Sequence, residues 1–205
     1  MDLTTTEEIK NFLIKKDQQL KDLFDAYGLL SYSRDENVYE SIVYHIVEQM
    51  LSIHAARTIY SRLSVLCGGV VTADAICSLD KDDMRQCGIS YSKVKYIQEF
   101  SLDCKNKKYN FDDLKRMTDE EVVLYLKQIN GVGLWTAEMI ALFTLGRTNV
   151  FSYDDVALRN GIIKAKKYKT LSKKRFECLR RKYSPYCSYI SLYFYKCNDD
   201  KGWKK

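Results

Sequence analysis

The sequence predicts an all-α protein, and three observations carry that prediction. Apolar residues recur at helical spacing behind capping residues. No stretch alternates apolar and polar residues as a half-buried strand does. Turn formers are few: 205 residues include 9 glycines and 1 proline, whereas a doubly wound α/β protein or a β sandwich needs more. A chain of this length buries roughly 70% of its unfolded surface, so it needs no metal or disulfide to fold. Hydrophobic residues at 46% and charged residues at 29% exclude general disorder.

About ten helices follow in order. Thr5-Thr6-Glu7-Glu8 matches a capping box. Behind it Ile9, Phe12, Leu13, Leu20 and Leu23 line one face of a helix that Gly28 ends. Asp35 caps a second helix through Val38, Ile42, Val43, Ile46 and Val47. Ser52 caps a third, with Ala55, Ala56, Ile59 and Leu63 inward, and Gly68-Gly69 breaks it. Thr72 and Asp80 start two short helices, and Gly88 stops the second. Ser90 opens a longer helix through Val94, Ile97 and Phe100. Thr118-Asp119-Glu120-Glu121 is another capping box, leading into Val122, Val123, Leu126 and Ile129. A helix from about Leu134 to Leu145 comes next, and Asp154 or Asp155 starts the one after it. The last two cover roughly 172–183 and 186–197.

Charge is unevenly spread. Residues 1–100 carry 11 basic and 15 acidic side chains, a net −4; residues 101–205 carry 22 and 12, a net +10. From Arg159 to Lys182 there are 11 basic residues against Glu177 alone. Such a block suits a polyanion, or else a solvated helix face. It has few large apolar residues to insert into a membrane surface, and no apolar run approaches the ~20 residues of a bilayer span. The acidic start, MDLTTTEEIKNFL, lacks the apolar core of a secretory signal. Seven cysteines without a C-x-x-C pair point to a reduced, cytoplasmic setting.

The stretch Leu126-Lys-Gln-Ile-Asn-Gly-Val-Gly-Leu-Trp-Thr-Ala137 joins two helices through Gly131 and Gly133. Glycine permits positive φ and close backbone approach. The helix opening after Gly133 points free N–H groups out of the turn, which suits a phosphate, although packing alone also explains glycines in a helical hairpin.

This stretch resembles the helix-hairpin-helix of the base-excision DNA glycosylases, the HhH-GPD superfamily. Phe151-Ser-Tyr-Asp-Asp-Val-Ala-Leu-Arg-Asn-Gly161 resembles the family's aspartate loop. Ile46-Val-Glu-Gln-Met-Leu-Ser-Ile-His-Ala-Ala-Arg57 is similar to its Q-x-x-S-x-x-A-A segment, and Gly88-Ile-Ser-Tyr-Ser-Lys93 to its G-x-s-x-x-K turn. Tyr183-Ser-Pro-Tyr-Cys-Ser-Tyr189 is similar to the W-x-P-[WY]-R-S-Y signature of the 3-methyladenine DNA glycosylase II branch, with Cys187 in place of arginine. The blocks span about residues 38 to 197 in the family's order.

The resemblance implies a single two-lobed unit over 1–205 with a cleft between lobes. One lobe takes about 35–146, including the hairpin 126–137; the other takes about 1–34 plus 147–205. It implies a base-excision repair enzyme that flips an alkylated purine out of double-stranded DNA and hydrolyses its N-glycosidic bond. Asp155 matches the catalytic aspartate, whose carboxylate stabilises the oxocarbenium-like sugar; simple N-capping is the plainer role for an aspartate there. Asp154 would be a cap or a supporting group at the base pocket. Lyase members carry a lysine after G-x-G-x, which forms a Schiff base. Trp135 stands there instead, so the resemblance implies a monofunctional enzyme using water. Trp135 would stack on a cationic base, with Met139 one turn on and Tyr183 and Tyr186 walling the pocket. Gln49 and Met50 fall where relatives fill the gap left by the flipped nucleotide, Met50 as the apolar wedge. Ser52, Asn130, Gly131, Val132, Gly133 and Thr136 complete the expected DNA-binding set. No cofactor is required, although relatives hold a monovalent cation (sodium or potassium) through hairpin carbonyls, here those of Asn130 and Val132. Cys178, Cys187 and Cys197 lack the C-x6-C-x2-C-x5-C spacing of an iron–sulfur cluster, so none is expected. The expected partner is damaged duplex DNA, bound by a monomer without a membrane. Two rivals stay open: a monofunctional mismatch or other damaged-base glycosylase, and a non-enzymatic DNA-binding module reusing the hairpin.

Overall fold

The computed structural model describes residues 2–34 and 37–203. Among them are twelve α-helices and two two-residue strands. Two compact units divide the chain, one of Met1–Arg34 with Leu145–Lys205, the other of Asp35–Thr144.

The second unit holds α3 (Val38–Glu48), α4 (Ile53–Leu66), α5 (Ala73–Ser78), α6 (Lys81–Gln86), α7 (Tyr91–Lys105), α8 (Asp119–Leu126) and α9 (Leu134–Met139), which runs into a π-helical turn over Ile140–Thr144. Its helices start where side-chain oxygens meet orphan N–H groups: Ser52, Thr72, Asp80 and Ser90 each accept one. Thr118 and Glu121 form the full reciprocal box. Asn37 caps α3; the cap expected at Asp35 lies outside the described residues. α3 packs on α4, α7 and α9, burying Ile42, Val43, Ile46 and Val47 with Ala56, Leu63, Val94, Ile97 and Phe100.

The first unit holds α1 (Glu7–Lys16), α2 (Lys21–Tyr27), α10 (Val156–Lys166), α11 (Lys173–Tyr183) and α12 (Cys187–Asp199). β1 (Leu3–Thr4) pairs antiparallel with β2 (Ser31–Tyr32), a ribbon too short for alternation to reveal. α10 lies closely along α12: a Cβ on Gly161 would stand 2.0 Å from the Phe194 carbonyl oxygen. Phe24, Phe151, Phe176, Tyr183, Tyr193 and Phe194 build the core around them.

Two expectations at the N-terminus need correction. Thr6, not Thr5, caps α1, and its third helical residue is Ile9, so no reciprocal box forms. The single helix expected up to Gly28 is broken at Asp17, which leaves helical geometry with φ −152°. Asp17 is 6% exposed. Its Oδ2 accepts hydrogen bonds from Lys166 Nζ and, at 2.7 Å, from Tyr183 Oη, with Lys182 Nζ at 3.2 Å. The tertiary ion pair decides the break, because a buried carboxylate needs these donors more than the helix needs its continuity. Among the described residues no helix is long and apolar enough to cross a membrane.

Burial disfavours the charged Asp17 side chain, yet the hydrogen bonds from Lys166 and Tyr183 outweigh it and hold the carboxyl below its ordinary 3.8. A carboxyl lowered on folding contributes stability above its unfolded value and loses it as pH falls through the folded one. Asp17→Asn should therefore cost about 3–5 kcal/mol near neutral pH by leaving Lys166 buried and unpaired. Urea unfolding should show that difference shrinking below pH 3.8. A loss that does not change with pH would contradict this account.

Candidate active site

The expected site residues fall in both units, and each group is built within its own unit. In the second unit the turn after α3 and the α8–α9 hairpin are tied together. Gln49, which ends α3, donates from its amide nitrogen to the Gly131 carbonyl oxygen at 2.7 Å and to Thr136 Oγ1 at 3.0 Å. Both amide hydrogens are thereby used. Lys93 Nζ donates to the carbonyl oxygens of Val47 at 2.8 Å and Gln49 at 2.6 Å, closing the C-terminus of α3. Burial holds that ammonium below its ordinary range. Gly131 has φ +87°, and a Cβ there would meet the Tyr96 ring at 2.6 Å. Glycine is required on both counts.

These ties change several assignments. Gln49 does not reach outward for DNA; its amide braces the hairpin. Thr136 is buried and receives that amide, and the Val132 side chain is buried too. Met50 stands fully exposed on left-handed backbone, φ 60°. Leu51 and Ile53 are also exposed beside it, and Ser52 caps α4 by accepting the Ala55 N–H. Asn130 donates to Glu99 Oε2 at 3.2 Å. Gly133 is exposed and extended, with φ −83°, and nothing lies within 4 Å of a Cβ placed there. Trp135, in the first turn of α9, is half-buried. Met139, one turn on, is buried, so Trp135 presents the open surface of the pair.

In the first unit the aspartate loop is pinned along its length. Ser188 Oγ accepts from the Val150 N–H at 2.9 Å and donates to the Arg147 carbonyl oxygen. Arg180 donates to the Phe151 carbonyl oxygen at 2.6 Å. The Phe151 ring stacks on Phe176 with centroids 4.5 Å apart. The loop ends on Asp155, which is 6% exposed and caps α10. Its Oδ1 accepts the Leu158 N–H at 2.7 Å, and its Oδ2 accepts the Tyr195 hydroxyl at 3.3 Å. Asp155 therefore is the cap, and the capping role expected of Asp154 is not filled by it; Asp154 is exposed.

Tyr183 does not wall a pocket. It is fully buried and bound to Asp17, with no surface for a base. Tyr186 is half-buried at the start of α12, edge-on to Phe12 at 5.1 Å. The basic block divides by use. Lys164 donates to carbonyl oxygens of Cys197 and Asp200, ending α12. Lys166 and Lys182 serve Asp17, and Arg180 serves the loop. Lys167, Lys169, Lys173, Lys174, Arg175 and Arg181 stay exposed. Sequence reasoning missed Lys93, Ser188, Arg180 and Tyr195 as supports. Lys93 and Ser188 stood inside matched motifs, but a motif does not reveal which carbonyl a side chain reaches.

A family model described as HhH-GPD superfamily base excision DNA repair protein matches residues 43–185. DNA-3-methyladenine glycosylase 1 of Schizosaccharomyces pombe is 30% identical over 176 residues, covering 78% of this chain and 76% of its own length. A Bacillus subtilis protein provisionally named a DNA-3-methyladenine glycosylase is 28% identical over 188 residues, 86% of this chain; the match spans 64% of that relative's length. The solved DNA-3-methyladenine glycosidase of Bacillus halodurans superposes with a TM-score of 0.84 at 28% identity, covering 97% of this chain and 93% of that one. Each sequence block that resembled the family lies within or beside the matched span, and the chain belongs to the HhH-GPD superfamily of base excision DNA repair proteins.

Proposed function

We propose that this protein is a monofunctional DNA glycosylase that releases alkylated purines of the 3-methyladenine type from duplex DNA. The observation that carries the reading is Asp155: a buried carboxylate fixed by two hydrogen bonds at the head of α10, in the loop that resembles the family's catalytic segment. A carboxylate held in place needs no reorganisation when positive charge develops on a deoxyribose. The N-glycosidic bond breaks with its electron pair leaving on the base. A water oxygen then bonds to C1′, and the water proton passes to Asp155 or to solvent. An N-alkylated purine is already cationic, so it leaves as a neutral base without a general acid.

Trp135 supplies an aromatic face for that cationic base, an attraction of about 0.5–2 kcal/mol. Residues 134–137 hold no amine, so the position where lyase relatives carry their lysine offers no Schiff-base nucleophile, and water is the attacking group. Met50 serves as the wedge. Its full exposure supports this role, because an apolar side chain held out in water regains burial between unstacked bases. The exposed backbone at Gly133 lets a phosphate approach the hairpin. The carbonyl oxygens of Asn130 and Val132 accept no hydrogen bond among the described residues, which fits a monovalent cation there; when bound it would add positive charge beside a phosphate.

The test is a panel of duplexes bearing 3-methyladenine, 7-methylguanine, hypoxanthine, uracil or 8-oxoguanine, each scored with and without alkali. Breaks only at alkylated purines and only after alkali are expected. Breaks without alkali would contradict the water-only mechanism. Release confined to uracil, hypoxanthine or 8-oxoguanine would move the substrate to another damaged base, and no release from any duplex would favour a binding module.

A further inference from the structure

Four cations of the basic block, Lys164, Lys166, Arg180 and Lys182, have a structural task; among the others, two meet on one ring close to Asp155 in the chain. The Arg159 guanidinium stands over the Tyr153 ring, 5.1 Å from its centroid, and the Lys173 ammonium stands 5.6 Å from the same centroid. Tyr153 is itself fixed edge-to-face against buried Phe176, with centroids 5.2 Å apart. Neither cation makes an ion pair or a side-chain hydrogen bond among the described residues. Arg159 Nε is buried without a partner.

This arrangement is unfavourable in the free protein. Two like charges share one ring, and a buried N–H of a guanidinium lacks an acceptor. The ring quadrupole attracts each cation but supplies no lone pair. An anion with several oxygens would answer both deficits at once. Guanidinium and ammonium are the two groups suited to a phosphate, the first as a fork and the second as a point charge. The cluster is also local to the chemistry: Tyr153 lies two residues before Asp155, and Arg159 one turn after it on the helix Asp155 caps. Lys167, Lys169 and Lys174 extend the exposed positive charge along the same segment.

We propose that Arg159 and Lys173, organised on Tyr153, form a binding site for a DNA backbone phosphate that holds the strand bearing the reacting nucleotide beside Asp155. The proposal rests on the DNA glycosylase reading and adds a phosphate clamp to it.

Binding of a fluorescein-labelled duplex carrying a tetrahydrofuran abasic analogue, measured from 50 to 200 mM salt, tests it. Arg159→Ala and Lys173→Ala should each weaken binding about 5- to 20-fold near 100 mM salt. Each should also lower the slope of log K against log salt by about 0.9. Arg159→Lys should keep the wild-type slope, because the charge remains. Melting of the free Ala variants should not fall, since a like charge has been removed. Alanine variants with the wild-type slope would overturn the phosphate site and make both residues packing groups, while wild-type binding and base release left the glycosylase reading intact. A wild-type protein that neither binds the duplex nor releases a base would overturn both. Inorganic phosphate at matched ionic strength should not displace the duplex; displacement at low millimolar phosphate would assign the site to the free ion and overturn the DNA assignment.

Discussion

The carboxylate of Asp155 is set by the helix it opens. The first turn of any α-helix leaves N–H groups without partners, and Asp155 takes the one from Leu158 at 2.7 Å. That bond fixes one oxygen of the carboxylate. The rest of the unit removes the remaining freedom. α10 lies against α12 at a distance that only glycine permits, because a Cβ on Gly161 would collide with the Phe194 carbonyl. The loop leading to Asp155 is held from behind by Arg180 and Ser188 and from the side by Phe176. Tyr195, from α12, then meets the second carboxylate oxygen. The capping bond and the proposed catalytic role do not compete for this residue, because the bond that caps the helix also fixes where the carboxylate stands.

The other unit uses the same economy of means on different groups. Gln49 spends both amide hydrogens on the hairpin, and Lys93 gathers the carbonyls at the end of α3. Between them the turn that presents Met50 and the turn that presents Gly133 become one braced piece. A wedge that enters a base stack must resist being pushed back, and a backbone N–H that meets a phosphate must already face it. Bracing from behind leaves the front of both turns open.

Much of this was legible in the sequence because it is local. Ser52, Thr72, Asp80, Ser90 and Thr118 each cap the helix that follows, and such caps depend on residues within a few positions. What stayed hidden depends on distant partners. The apolar spacing before Gly28 reads as one helix, and only Lys166 and Tyr183, about 150 residues away in the chain, show why Asp17 interrupts it. The same partnership takes Tyr183 out of the pocket. Gln49 matched a DNA-facing motif, yet its partners are Gly131 and Thr136; nothing in its neighbours announces which way an amide turns. The π-helical turn after Met139 and the two-residue strands are too short to leave a periodic trace.

Asp155→Asn isolates the central claim, because asparagine caps a helix about as well as aspartate while carrying no charge. Single-turnover release of 3-methyladenine by this variant, read beside its melting temperature and its affinity for the same duplex, is the most direct measurement. The account predicts a folded protein that holds DNA as tightly as the wild type or more so and releases no measurable base. Release at a rate near that of the wild type would show that the negative charge at the head of α10 is not what stabilises the departing sugar.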